Sequence, residues 1–154
     1  MKFITAIVVS LMVGSAFAQT KKAEVFSAEA IKGKLAVLEK AAAVSGSSGE
    51  KLGEYESHSI GLSVRSRSGG AEVHAHYDDI FFVTQGKATL ITGGTVVNAK
   101  TDADGETRGD RLQDGQAQSI SAGDVVHIPS GIPHQIIVPR GVVYNSVVVK
   151  VKEE

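Results

Sequence analysis

Two histidines one residue apart, His74 and His76, stand just ahead of two aspartates, Asp78 and Asp79, in the stretch EVHAHYDDIFFVTQG. Imidazole nitrogens and carboxylate oxygens are ligands that hard and borderline divalent ions accept together. In an extended strand, residues two apart face the same way. The spacing therefore predicts that His74 and His76 project together, about 6–7 Å apart along the chain. Both rings could then converge on one ion at roughly 2.1 Å each. An exposed pair on a half-buried strand is the competing reading, and the pair alone does not separate the two.

A second histidine segment, AGDVVHIPSGIPHQIIV, covers residues 122–138. Gly123-Asp124 reads as a turn, Val125 to Ile128 as a strand, and Pro129-Ser130-Gly131 as a tight turn. Pro133-His134 then opens a returning strand. His134 can face the same interior as His74 and His76 if the sheet closes. The chain has no cysteine, so a thiolate zinc site and a cysteine nucleophile are both excluded. Any ion must be held by histidine, carboxylate and water.

The elements that would position these residues come after a leader. MKFITAIVVSLMVGSAFA carries Lys2, an apolar run from Phe3 to Val13, and small residues at Ala16 and Ala18. That is the three-part pattern of a secretory signal, with cleavage expected after Ala18. The apolar run is too short for a membrane-spanning helix, which needs roughly 20 residues. No membrane anchor is therefore expected after cleavage. The expected localisation is periplasmic or secreted. Lys and Arg total 16 against 17 Asp and Glu, and loss of Lys2 widens the acidic excess by one. Such a balance gives no general attraction to nucleic acid.

Residues 19–53 are expected to form an N-terminal helix and a flexible linker. SAEAIKGKLAVLEKAAAV puts Ile31, Leu35, Leu38 and Ala42 on one face, with Ser27 as N-cap and Glu29 in the first turn. SGSSGEKLG, residues 45–53, has linker composition. From residue 54 to 152 short β-branched runs alternate with glycine-rich turns. This pattern predicts one all-β domain, a small antiparallel sandwich or barrel. Residues 98–115 read as a long polar loop. Its DADGE is not a calcium loop, because the first and last ligand positions would fall on Lys100 and Arg111.

The two histidine segments together resemble the cupin superfamily. Gly123, Pro129, Gly131 and His134 match its second motif in spacing. His74, His76, Asp79 and Gly86 match most of its first, with Asp79 standing where the family has glutamate and Val138 where it often has asparagine. The resemblance covers roughly residues 55–151. It implies a double-stranded β-helix, or jelly roll, with a divalent transition metal inside it: iron, manganese, nickel, zinc or cobalt. His74, His76 and His134 would be the main ligands and Asp79 a weaker fourth. Three histidines alone, or a metal-free cup, remain the other versions of the site. The resemblance further implies a small-molecule ligand or substrate, with oxygenase- or isomerase-like chemistry, or binding without turnover. Cupins often pair, so a homodimer is also an expectation. Tyr77, Asp78 and Tyr144 are the candidate acids or bases. His127 is expected to point outward, His58 to lie away from the site, and Arg65 and Arg67 to form a solvated edge rather than an anion site.

Overall fold

The computed structural model describes residues 22–153. The secretory segment, residues 1–18, lies outside the described residues. Helix α1 spans Ala28–Ser45. The strands that follow are β1 (Ser47–Glu54), β2 (His58–Arg65), β3 (Ala71–Val73), β4 (Tyr77–Gln85) and β5 (Lys87–Thr92). Next come β6 (Thr95–Val97), β7 (Lys100–Thr101), β8 (Thr107–Gly109), β9 (Arg111–Gln113) and β10 (Gln116–Ser121). The last three are β11 (Val125–Ile128), β12 (His134–Ile137) and β13 (Tyr144–Lys152).

The helix begins and ends as its sequence predicts. Ser27 Oγ accepts from the Ala30 amide at 3.2 Å. Gly46 closes the helix in the left-handed region at φ 97° and returns its own amide to the Ala42 carbonyl. Leu38 and Ala42 are buried, and Ile31 and Leu35 pack beside them on the outer face of β2, at Leu62 and Val64. Ser66 and Arg67, just past β2, bind back to the end of the helix. Ser66 Oγ donates to the Ala42 carbonyl at 2.6 Å, and the Arg67 guanidinium donates to the Val44 carbonyl.

One sheet runs β1-β2-β13-β4-β11 and the other β10-β5-β12-β3-β8-β7, with β6-β9 as a separate ribbon. All pairings are antiparallel. The two large sheets face each other over a core of Phe81, Val83, Leu90, Ile120, Ile128 and Ile136. They share no strand, so the expected barrel is a jelly roll whose sheets stay separate. Strand alternation is clean along β4. Asp79, Phe81 and Val83 are buried, while Phe82 is exposed. Gly86 turns β4 into β5 at φ 79°, and a Cβ there would lie 2.1 Å from the Val143 carbonyl oxygen. Only glycine fits.

Two expectations are corrected. The stretch expected as a flexible linker is mostly strand β1, paired with β2 from Ser47 to Glu54 around a bulge at Lys51/Gly53. Its small and charged residues suit an edge strand, a case that composition does not separate from a linker. Residues 98–115 are not one loop either. They hold β7, β8 and β9, too short to show a periodicity. Because α1 seals the outer face of β2, Leu62→Ala should lower unfolding free energy in urea by about 2–5 kcal/mol. A loss below about 1 kcal/mol would mean that the helix does not close this part of the core.

Candidate metal centre

Strand β3 ends at Val73, and the chain bends at Ala75 and His76. The alternation needed to put His74 and His76 on one face is therefore broken. His74 is buried, at 4 % exposure. His76 is exposed, lies beside Gly105 and lines the same cavity as His74. The alternation does hold in the other direction. Glu72 and His74 face the same side, and Glu72 is the register partner of His134 on β12. One ligand atom each from Glu72, His74 and His134 all lie within 4.8 Å of one another. The group the structure brings together is thus Glu-x-His with His134, with His76 at the exposed side of the same cavity.

Each imidazole is oriented by a partner on its far nitrogen. His74 Nδ1 lies 2.5 Å from Glu106 Oε2, on the connection into β8. His134 Nδ1 lies 3.1 Å from the Ile132 carbonyl, which can only accept, so this nitrogen carries the proton. The other nitrogen, Nε2, is left as a lone pair. The two rings tilt towards each other with centroids 5.0 Å apart. Their Nε2 atoms meet at Asp79 Oδ2, 3.1 Å from His74 and 3.6 Å from His134. The His74 contact is off line, and this buried Nε2 makes no well-directed hydrogen bond.

Asp79 is also held from the opposite side by a residue the sequence reading did not single out. Lys150, its register partner on β13, brings Nζ within 2.8 Å of Oδ1. Both atoms are buried and neither has a well-directed hydrogen bond, so the contact is an ion pair of poor angle. The Lys150 side chain as a whole is 35 % exposed, and that exposure lies on its stem.

Burial, the largest influence on Asp79, would raise its pKa. Contact with His74 and the charge of Lys150 outweigh it and leave the carboxyl below its ordinary value. Burial dominates at His134 and keeps it neutral more readily than a free histidine. At His74 burial is again the largest influence and acts downward, but the carboxylates of Asp79 and Glu106 reverse it and raise the pKa. Carboxylates thus crowd a pocket that also holds two imidazoles, an arrangement that needs positive charge. A proton on His74, the Lys150 ammonium and a divalent ion can each supply it. The donor set fits a divalent ion.

The remaining expected residues fall as follows. Asp78 lies on the other side of β4, where it bonds His127 at 2.9 Å and accepts from the Ser130 amide at 2.8 Å. His127 does point outward. His58 stacks on Tyr55, with centroids 4.7 Å apart. Arg67 caps the helix, as described above. Tyr77, Tyr144 and Arg65 line the cavity of about 960 Å³ into which the centre opens. Arg65 is thus not simply part of a solvated edge. Of the residues missed, Glu72 had a signal in its parity with His74. Lys150 had one as a cation inside the apolar run VVVKV. Glu106 had none, since it reaches His74 across 32 residues from a polar turn.

No protein-family model matches the sequence. No curated protein matches it. Solved structures do. A DMSP lyase, DddQ, from Ruegeria pomeroyi DSS-3 is 17 % identical with a TM-score of 0.50, covering 68 % of this chain. The match spans only 46 % of the lyase. A predicted oxalate decarboxylase from Thermotoga maritima is 16 % identical with a TM-score of 0.51, covering 70 % of this chain and 81 % of its own. KdgF from Halomonas sp. is 14 % identical with a TM-score of 0.51, covering 71 % and 82 %. These neighbours are cupin-superfamily proteins, and what is shared with them at this identity is the fold.

Asp79→Asn would leave the Lys150 ammonium without its counterion. It should cost about 2–4 kcal/mol in urea unfolding, below the full range for a buried pair because the Lys150 stem is open to water. Asp79→Asn/Lys150→Met should recover most of that loss. The folded-state pKa of Asp79 lies below its ordinary 3.8, so its contribution is full above that value and fades as pH falls through the folded pKa. The wild-type and Asp79→Asn stabilities should therefore converge in acid. A gap that stays constant down to unfolding would disprove the ion pair.

Proposed function

Starting from its cupin fold, we propose that this chain is an exported metal-binding protein that acts on, or binds, a small organic molecule in its inner cavity. The observation that carries the reading is the meeting of Glu72, His74 and His134 within 4.8 Å, two of the three buried. Two imidazole nitrogens and one carboxylate, with positions left open, are the donor set of non-haem iron(II) centres. Iron is therefore the first ion to seek, ahead of manganese, nickel, zinc and cobalt. A divalent ion bound there supplies Lewis acidity to a ligand oxygen atom.

The protein's own residues do the rest. Glu106 and the Ile132 carbonyl hold the two rings with Nε2 inward, the role that outer partners play for ligating histidines. Lys150 engages Asp79 through Oδ1 and leaves Oδ2 beside both rings, where it could serve as the weaker fourth ligand. Phe81, Ile136 and Val148 give the cavity an apolar wall.

Binding without turnover is the second reading, and one observation favours it. Asp78, a carboxylate candidate for acid–base work, is engaged outside the cavity. Of the named candidates, the two tyrosines Tyr77 and Tyr144 remain, and burial raises the pKa of Tyr144. A phenol that holds its proton this firmly is a poor base near neutrality.

Metal analysis by plasma mass spectrometry tests the centre. Wild type and His76→Ala should each carry about one equivalent of a transition metal, and His134→Ala and Glu72→Gln should lose it. Wild-type protein that neither contains nor takes up metal would overturn the proposal. Loss in His76→Ala equal to that in His134→Ala would restore His76 as the third ligand. Export rests on the pattern of residues 1–18. Expressed with its leader in a bacterial host, the protein should be recovered from the periplasm or medium with Gln19 as first residue by intact mass. Cytoplasmic protein that retains Met1 would refute it.

A further inference from the structure

The inner face of the sheet that floors the cavity changes character along its length. On β2 the residues facing inward are Ser59, Gly61, Ser63 and Arg65, whereas Leu62 and Val64 face the helix. On β13 their register partners are Lys150, Val148, Ser146 and Tyr144. Lys150 lies at the metal end, paired with Asp79. Arg65 and Tyr144 face each other at the opposite end, six residues away along β13, or about 20 Å between Cα positions. Serine and glycine between the two ends leave the space that makes the cavity deep.

Two observations mark the far end as a binding position. Tyr144 is 1 % exposed, yet its hydroxyl has no hydrogen-bond partner and belongs to a side chain that lines the cavity. Ser146 is near but not in bonding geometry. A buried phenol without a partner is costly unless something supplies one. Beside it, Arg65 makes no ion pair among the described residues, unlike Lys51, Arg108 and Lys150, which line the same cavity and each approach an acid. Its guanidinium lies over Gly69, where an added methyl would come within 2.4 Å of Nη1.

We propose that Arg65 and Tyr144 form a subsite for the carboxylate of an elongated organic acid whose other end reaches the Glu72–His74–His134 centre. A planar guanidinium matches a carboxylate with two parallel hydrogen bonds. The phenol donates a third. One guanidinium and one neutral hydroxyl balance a single negative charge, which favours a carboxylate over a phosphate dianion. Phe81, Ile136 and Val148 offer apolar contact to the chain between the ends. The position of the far end rests on the metal reading above, but the carboxylate subsite is read from its own residues.

Isothermal titration with acetate, hexanoate and decanoate, their primary amides, and hexyl phosphate tests this on metal-loaded protein. Metal content is measured on every sample. Hexanoate and decanoate should bind better than acetate, and better than the matching amides. Arg65→Gln should weaken carboxylate binding by at least about tenfold, and Tyr144→Phe by several fold, with metal content unchanged. Tyr144→Phe keeps the packed ring, so it carries the test if Arg65→Gln does not fold. Equal binding of amides and acids, tighter binding of hexyl phosphate, or affinities that neither substitution changes would overturn the subsite. Metal retained without carboxylate binding would sink the subsite alone. Carboxylate binding that depends on Arg65 in protein that takes up no metal would sink the metal reading and leave the subsite standing.

Discussion

The constraint on which this molecule turns is the need to balance charge inside an apolar jelly roll. Asp79 is placed by the pleat of β4 among Phe81 and Val83, where water cannot solvate it. A carboxylate in that position persists only if cations come to it. Lys150 does so from the neighbouring strand, and a proton on His74 can do so from the facing sheet, where His134 adds a neutral ring. Both sheets are thereby tied to one buried oxygen pair. The centre is as much a fastening between sheets as a place for chemistry. An ion bound at Glu72, His74 and His134 would share this work with Lys150.

The helix contributes by making the floor of the cavity affordable in sequence terms. A strand in a two-layer sandwich ordinarily turns its apolar side inward. On β2 the order is reversed, with leucine and valine outward and serine and glycine inward. That reversal is stable because α1 covers the outer face. Leu38 and Ala42 meet Leu62 and Val64, and Ser66 and Arg67 fasten the end of the helix to the strand it covers. Asn145, fully buried on β13, adds a bond to Glu39 of the helix at 2.7 Å. The hollow interior and the external helix are therefore one design.

Much of this could be read in the chain. The spacings of Ile31, Leu35, Leu38 and Ala42 gave the docked face of α1. The turn residues around Pro129-Ser130-Gly131 brought His134 inward as expected. Where the structure departs from the period-two pattern, the reason is local. His74 sits at the last residue of regular alternation, and the bend at Ala75 carries His76 to the exposed side of the cavity. Period-two reasoning is valid only while the strand lasts. It still held backwards, towards Glu72. Glu106 was beyond any pattern, because its contact depends on how β7 and β8 fold over β3.

The stretch SSGEKLG looks unstructured because it lacks large apolar residues and carries glycine and charge. In the folded chain those features sit on the sheet's rim, where β1 leaves one row of amides and carbonyls unpaired. A bulge between Lys51 and Gly53 interrupts the straight line of that row, and Glu50, Lys51 and Glu54 crowd it with ions. An incoming strand would find neither a regular ladder nor an oily surface. The same residues that disguise β1 as a tether thus guard the fold against self-association into fibres.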